Sequence, residues 1–204
     1  MWIKICGMTD PETVSAALAL RVDAIGFVFA PSVRALPPAQ AAALAAPARG
    51  RCALVAVTQH PAQSLIDEIV QVFRPDVLQT DLADLAALRL PQMLSLLPVL
   101  RAGAADMQAR ADAAASLPPM LLFEGERSGS GITADWSQAD RLARATRLVL
   151  AGGLNADNVD DAIDAVRPFG VDVSSGVESS PGRKSAALIG QFVQAARAAA
   201  REVA

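Results

Sequence analysis

The sequence predicts an α/β fold, a single closed (β/α)8 barrel spanning residues 1–204. Three observations predict it. Short Val/Ile/Leu-rich runs recur at intervals of about 20 to 30 residues, and nearly every one is followed by a segment of helical periodicity. The runs are apolar throughout instead of alternating, as strands buried on both faces of a parallel sheet read. No linker rich in Pro, Gly or Ser divides the series. The structural alternative is an open doubly wound sheet, but its usual fingerprint, a strand followed by G-x-G-x-x-G, occurs after none of the runs.

In order, the expected strands are Trp2 to Cys6, Ala24 to Phe29, Ala53 to Thr58, Val77 to Gln79, Pro98 to Ala102, Met120 to Glu124, Arg147 to Ala151 and Val171 to Ser174. The expected helices are Thr9 to Leu20, Pro37 to Ala46, Pro61 to Phe73, Leu82 to Leu90, Ala105 to Ala115, Ser137 to Ala145, Asn155 to Val166 and Ser185 to Ala200. Start signals support several. Thr9 or Asp10 precedes Pro11, Pro37 and Pro38 stand near a first turn, and Asn155 heads Asn155-Ala156-Asp157-Asn158. The first helix places Val14, Ala17 and Leu18 on one face.

The 204 residues are 52% hydrophobic and 19% charged with a formal net charge of −3, the balance of a globular chain with a sizeable core. No basic stripe offers to neutralise a phosphate track, which argues against a nucleic-acid partner. The apolar segment from Leu90 to Leu100 is interrupted by Pro91 and Pro98 and falls short of the roughly 18 residues of a membrane span. The start, Met1-Trp2-Ile3-Lys4-Ile5-Cys6-Gly7, does not read as a secretory signal, so the expected compartment is the cytoplasm. Cys6 and Cys52 are too few for a disulfide framework and are expected as free thiols. A monomer is the expected state, with a homodimer as the alternative.

In such a barrel the chemistry sits at the C-terminal ends of the strands. After the last two strands come Gly152-Gly153-Leu154-Asn155 and Ser174-Ser175-Gly176-Val177-Glu178. Glycines admit backbone N–H groups close to a ligand, hydroxyls add donors, and a helix N-terminus adds partial positive charge. Together they read as a phosphate cradle made by Gly152, Gly153, Ser174, Ser175 and Gly176. The same glycines would also serve as plain turns and caps.

Cys6 closes the first strand just before a glycine and a helix, where a nearby cation or helix start would favour the thiolate and suit a general base. A small buried core residue is the other reading for it, and Cys52, before the third strand, is given no role. Glu124 ends the sixth strand. A carboxyl partly desolvated there would keep a proton to donate, while Glu126, two residues on beside Arg127, is the alternative acid. His60 reads as a loop residue before Pro61, with no second His or Cys near it to suggest a metal. Arg34 and Arg101 stand at the catalytic end and could hold a carboxylate.

The runs Lys4-Ile5-Cys6-Gly7-Met8-Thr9, Gly26-Phe27-Val28-Phe29 with Ser32-Val33-Arg34, Leu150 to Asn155, and Gly170 to Gly182 are recognisable. In order and along the whole chain, they resemble the phosphoribosylanthranilate isomerase family. That resemblance implies a TIM barrel of the ribulose-phosphate-binding type. It also implies an Amadori rearrangement in tryptophan biosynthesis, N-(5-phosphoribosyl)anthranilate becoming 1-(2-carboxyphenylamino)-1-deoxyribulose 5-phosphate, without metal or cofactor. By matched positions it makes Cys6 the general base and Arg34 and Gln79 substrate-binding residues, and assigns Gly152, Gly153, Ser174, Ser175 and Gly176 to the phosphate. The family usually has an aspartate where Glu124 stands, and a longer loop before Gly-Gly-x-Gly than the one leading to Ser128-Gly129-Ser130-Gly131. Its fourth strand reads Leu-Gln-Leu-His-Gly, against Leu78-Gln79-Thr80-Asp81-Leu82 here. Two other functions compete. A related histidine-pathway isomerase would carry aspartates at the ends of strands one and five, where Cys6 and Arg101 or Ala102 stand; a non-catalytic phosphate-binding module would draw on the altered sixth loop alone.

Overall fold

A computed structural model of the chain describes residues 1–103, 117–125 and 136–202. Eight parallel strands close into a barrel in sequence order. They are β1 (Trp2–Cys6), β2 (Ala24–Val28), β3 (Ala53–Val57), β4 (Val77–Asp81), β5 (Ser95–Arg101), β6 (Met120–Glu124), β7 (Arg147–Leu150) and β8 (Gly170–Val173). The register that closes the ring sets Trp2 beside Gly170 and Lys4 beside Asp172. Outside lie α1 (Pro11–Ala19), α2 (Pro38–Ala45), α3 (Gln63–Glu68, continuing as a π turn over Ile69–Phe73), α4 (Trp136–Ala143), α5 (Val159–Val166) and α6 (Ala186–Glu202).

Side chains alternate across each strand, so the barrel has two cores. Outward residues such as Ile3, Ile5, Phe27, Leu54, Leu121, Phe123, Leu148 and Val171 pack with the helices in one large buried cluster. Inside, Leu97, Val99, Leu122, Val149 and Ala151 form a smaller cluster that Trp2, Val77, Met120 and Phe169 flank. The interior positions these leave toward the strand ends are polar: Lys4, Gln79, Asp81, Glu124 and Asp172 are all buried.

Beyond shifts of a few residues at element ends, three expectations changed in kind. Asp10, not Thr9, caps α1, its Oδ1 accepting from the Thr13 N–H at 2.9 Å. The helix expected at Leu82 to Leu90 is a 3-10 turn over Leu82–Ala87. Its Asp84 carboxylate is drawn back onto Thr80 and the His60 backbone, at 2.9 Å each, and Leu88 is already extended ahead of Pro91. The helix expected from Asn155 begins at Val159. The Asn155 and Asn158 side chains instead bond the backbone of this turn: the Asn155 N–H donates to Asn158 Oδ1 at 2.9 Å and the Asp157 N–H to Asn155 Oδ1 at 2.8 Å. Such local side-chain bonds compete with helix formation. The helix expected at Ala105 to Ala115, the alternative acid Glu126 with Arg127, and the loop Ser128 to Gly131 lie outside the described residues.

Candidate active site

At the C-terminal end of the barrel a cavity of about 200 Å3 opens among the strand ends. Cys6, Glu124, Arg34, Gln79, Gly152, Gly153, Ser174 and Ser175 all line it. Gly176 does not. Its place is one of close packing: a Cβ there would fall 1.9 Å from the Leu154 carbonyl oxygen, so only a glycine lets the loop after β8 lie against the loop after β7. Gly152 and Gly153 both hold positive φ, 91° and 68°. The helix N-terminus expected after the eighth strand is instead one 3-10 turn, Ser175–Val177, followed by a hairpin of β9 (Glu178–Ser180) and β10 (Arg183–Lys184). α6 begins only at Ala186, so what this loop offers an anion is hydroxyls, backbone and a lysine in place of a helix dipole.

That lysine, Lys184, was not anticipated, and neither were Lys4, Asp172 and Glu178. They build one network around Cys6. Lys4 precedes Cys6 by two positions on β1 and therefore faces the same way, and its fully buried Nζ donates to Asp172 Oδ1 at 2.9 Å. Lys184 Nζ reaches the Ser174 carbonyl oxygen at 3.1 Å, Ser174 Oγ at 3.3 Å and Glu178 Oε1 at 2.6 Å. Ser174 Oγ in turn donates to the Cys6 carbonyl oxygen at 3.1 Å. Glu178 also takes both Nε and Nη2 of Arg34, at 2.6 and 2.8 Å, a bidentate pair that fixes the guanidinium at the cavity wall. The one signal that could have found Lys4 and Asp172 is a charged residue at an inward position of an otherwise apolar strand.

The electrostatics of Cys6 differ from the expected ones. Burial pushes its thiol up, the Asp172 carboxylate adds to that push, and the cations Lys4 and Lys184 pull it back without cancelling it. Burial also works against the charge on Lys4, yet Asp172 and Cys6 together raise its pKa above the ordinary value. Burial raises the Asp172 carboxyl against the pull of Lys4, and it lowers Lys184 against the pull of Glu178. Burial alone would raise Glu178 as well, but its bonds to Arg34 and Lys184 hold it down at about 2. Cys52 is half-buried and pushed up to about 11, chiefly by desolvation, which makes it an inert thiol.

Glu124 sits three strands around the ring from Cys6. Its surroundings are less apolar than expected: Arg101, at the end of β5, donates Nη1 to Glu124 Oε1 and Nε to Asp81 Oδ1, the latter at 3.0 Å. Arg101 is thus a cavity residue in a partly buried ion pair. Beyond Asp81 the network runs to His60, whose Nε2 lies 3.6 Å from Asp81 and whose Nδ1 lies 2.8 Å from Asp84. The neighbours of His60 are therefore carboxylates brought from β4 and the turn after it. Its pKa rises through the hydrogen bond to Asp84. Gln79 Oε1 is buried with no hydrogen-bond partner among the described residues, which leaves an acceptor in the cavity wall for a donor on a ligand.

Residues 3–195 match the family model described as N-(5'phosphoribosyl)anthranilate (PRA) isomerase. The N-(5'-phosphoribosyl)anthranilate isomerase of Rhizobium etli is 37% identical over 97% of this chain and 94% of its own length. Among solved structures, phosphoribosyl anthranilate isomerase from Thermus thermophilus superposes with a TM-score of 0.81 at 28% identity, each chain covered in full. A phosphoribosyl anthranilate isomerase in complex with reduced 1-(o-carboxyphenylamino)-1-deoxyribulose 5-phosphate gives 0.79 at 28% identity, over 97% of this chain and 99% of that one.

Proposed function

Because the chain belongs to the N-(5'-phosphoribosyl)anthranilate isomerase family, we propose that it catalyses the Amadori rearrangement of N-(5-phosphoribosyl)anthranilate to 1-(2-carboxyphenylamino)-1-deoxyribulose 5-phosphate in tryptophan biosynthesis. The observation that carries this reading is the cavity itself, where a thiol on β1, a carboxyl on β6 and the Gly/Ser loops after β7 and β8 share one wall-to-wall space. Such a set offers one base, one acid and an anion site.

The phosphate takes the backbone and hydroxyls of Gly152, Gly153, Ser174 and Ser175, with Gly176 keeping the two loops in contact. Lys184, fixed on Ser174, adds positive charge beneath them. Arg34, held by Glu178, faces the anthranilate end, and Gln79 accepts from a donor on the sugar or the amine. Glu124 protonates the furanose ring oxygen, and the C1–O bond breaks as the anthranilate nitrogen lone pair forms a C1=N iminium. Cys6, as thiolate, then removes the proton from C2; that electron pair forms C1=C2 while the C1=N pair returns to nitrogen, and tautomerisation of the resulting enolamine to the C2 ketone completes the rearrangement. No residue set in this scheme calls for a metal or cofactor. We read residues 1–204 as one domain acting as a monomer in the cytoplasm on a small phosphorylated substrate; no helix among the described residues is long and apolar enough to cross a membrane.

The test follows the loss of fluorescence of freshly generated phosphoribosylanthranilate. Wild type should turn over, and Cys6→Ala and Glu124→Gln should each lower kcat by roughly 100-fold or more, the scale of one acid or base. Turnover retained by Glu124→Gln would move the acid to Glu126, and an inert wild type would overturn the activity.

A further inference from the structure

We propose that Lys4 is a positioning residue for Cys6: its buried ammonium stabilises the Cys6 thiolate, and Asp172 competes with the thiolate for that same cation. The inference rests on the reading of Cys6 as the base.

The geometry begins with the strand. Lys4 and Cys6 are two apart on β1, so both project into the barrel interior, and the residue paired with Cys6 on β2 is Gly26. A Cβ added at Gly26 would stand 3.1 Å from Cys6 Sγ and 3.2 Å from Lys4 Cε. The lysine stem and the sulfur therefore crowd the same spot, over a residue whose missing side chain is what admits them both. The ammonium is fully enclosed, with Asp172 at 2.9 Å. A buried lysine of this kind is retained only with an anion beside it. Here two candidate anions flank it, one a permanent carboxyl and the other a thiol that becomes an anion only when it gives up its proton.

The consequence is a balance. The charged groups that face Cys6 are Lys4 on its own strand, Asp172 on β8, Lys184 on β10 and Arg34 after β2, the last two sharing the single carboxylate of Glu178. Among these cations Lys4 pulls hardest on the thiol. A desolvated thiol is a poor base precursor, and Lys4 offsets the burial that the closed cavity imposes on it.

The experiment reads the thiolate directly. In a Cys52→Ala background the only thiol is Cys6, and because the chain has no tyrosine, the thiolate absorbance near 240 nm can be titrated without phenolate interference. Lys4→Met should raise the midpoint by about one unit or more, a roughly tenfold loss of thiolate at a fixed pH below it, and shift the alkaline rise of kcat with it. Lys4→Arg should restore much of both. Asp172→Asn should move the midpoint the other way, since the ammonium then has the thiolate as its one anion. An unmoved midpoint in folded Lys4→Met overturns the proposal. If Lys4→Met does not fold, an unmoved or raised midpoint in Asp172→Asn overturns it. A midpoint that moves as expected while Cys6→Ala retains full turnover keeps the Lys4–Cys6 coupling and removes Cys6 from the role of base.

Discussion

At the scale of single residues, the site is decided by what a buried strand end can tolerate. Cys6 and Lys4 share the space above Gly26, and that space has no slack. Gly26→Ala should therefore act as an overpacking substitution, costing about 1–3 kcal/mol of stability and displacing the sulfur or the ammonium by a few tenths of an ångström. Thermal denaturation and kcat measured together check it. The expected result is a lowered Tm with a disproportionate fall in kcat, and a variant that loses stability but keeps its turnover would show that Sγ does not need its present position. Period-two alternation could have marked Lys4 as an inward residue, but nothing local could have named its partner. Lys4 and Asp172 are 168 residues apart and meet only because β8 closes the ring against β1.

At the scale of elements, the loops after β7 and β8 act as one unit because Gly176 lets them touch. Gly176→Ala forces the Leu154 carbonyl away from the loop that carries Ser174 and Ser175. The expected outcome is a KM raised about tenfold with a smaller change in kcat, because binding of the phosphate contributes to substrate and transition state alike. Steady-state kinetics with the substrate, and competition by inorganic phosphate, would show it; an unchanged KM would mean that the cradle does not depend on this contact. The glycines and serines of the cradle were readable as residue types. The route from β8 to α6 was not, since nothing in Glu178 to Lys184 marks a hairpin as clearly as the run Ser185 to Ala200 marks a helix. The same holds at Asn155, where the expected cap turned out to begin an extra turn held by two asparagine side chains.

At the scale of the whole molecule, Glu178 joins the loop after β2, through Arg34, to the C-terminal hairpin, through Lys184. Its folded-state pKa of about 2 lies below the ordinary value of 4.5, so the sign is that of a carboxylate stabilised by folding. The contribution is complete above about pH 4.5 and is lost as the pH falls through the folded value near 2. Tm measured from pH 6 down to pH 2 should fall steeply in wild type, and Glu178→Gln should flatten that acid limb while lowering Tm at pH 6. Breaking a buried pair leaves the other charge uncompensated at a cost of about 3–5 kcal/mol. Equal acid slopes in the two proteins would place the pH sensitivity elsewhere.

The sequence alone was enough for the architecture and for most of the strand-end residues named in advance, because both depend on local order, although Gly176 lies outside the cavity lining and Asp172 within it was not foreseen. Apolar runs alternating with helical periodicity specify eight β/α units, and the end of each strand specifies what can face the mouth. Membership of the isomerase family was legible for the same reason, in motifs that are contiguous along the chain. Only the tertiary structure decided the charge environment of those residues. Cys6 was expected near a helix start or a cation, with a buried core thiol as the other reading, and proves to be desolvated, with Lys4 and Lys184 opposing that burial. Glu124 was expected in an apolar setting and meets Arg101 instead. Partners of this kind come from strands distant in sequence and adjacent in the barrel, and the register that pairs them is fixed by closure of the ring.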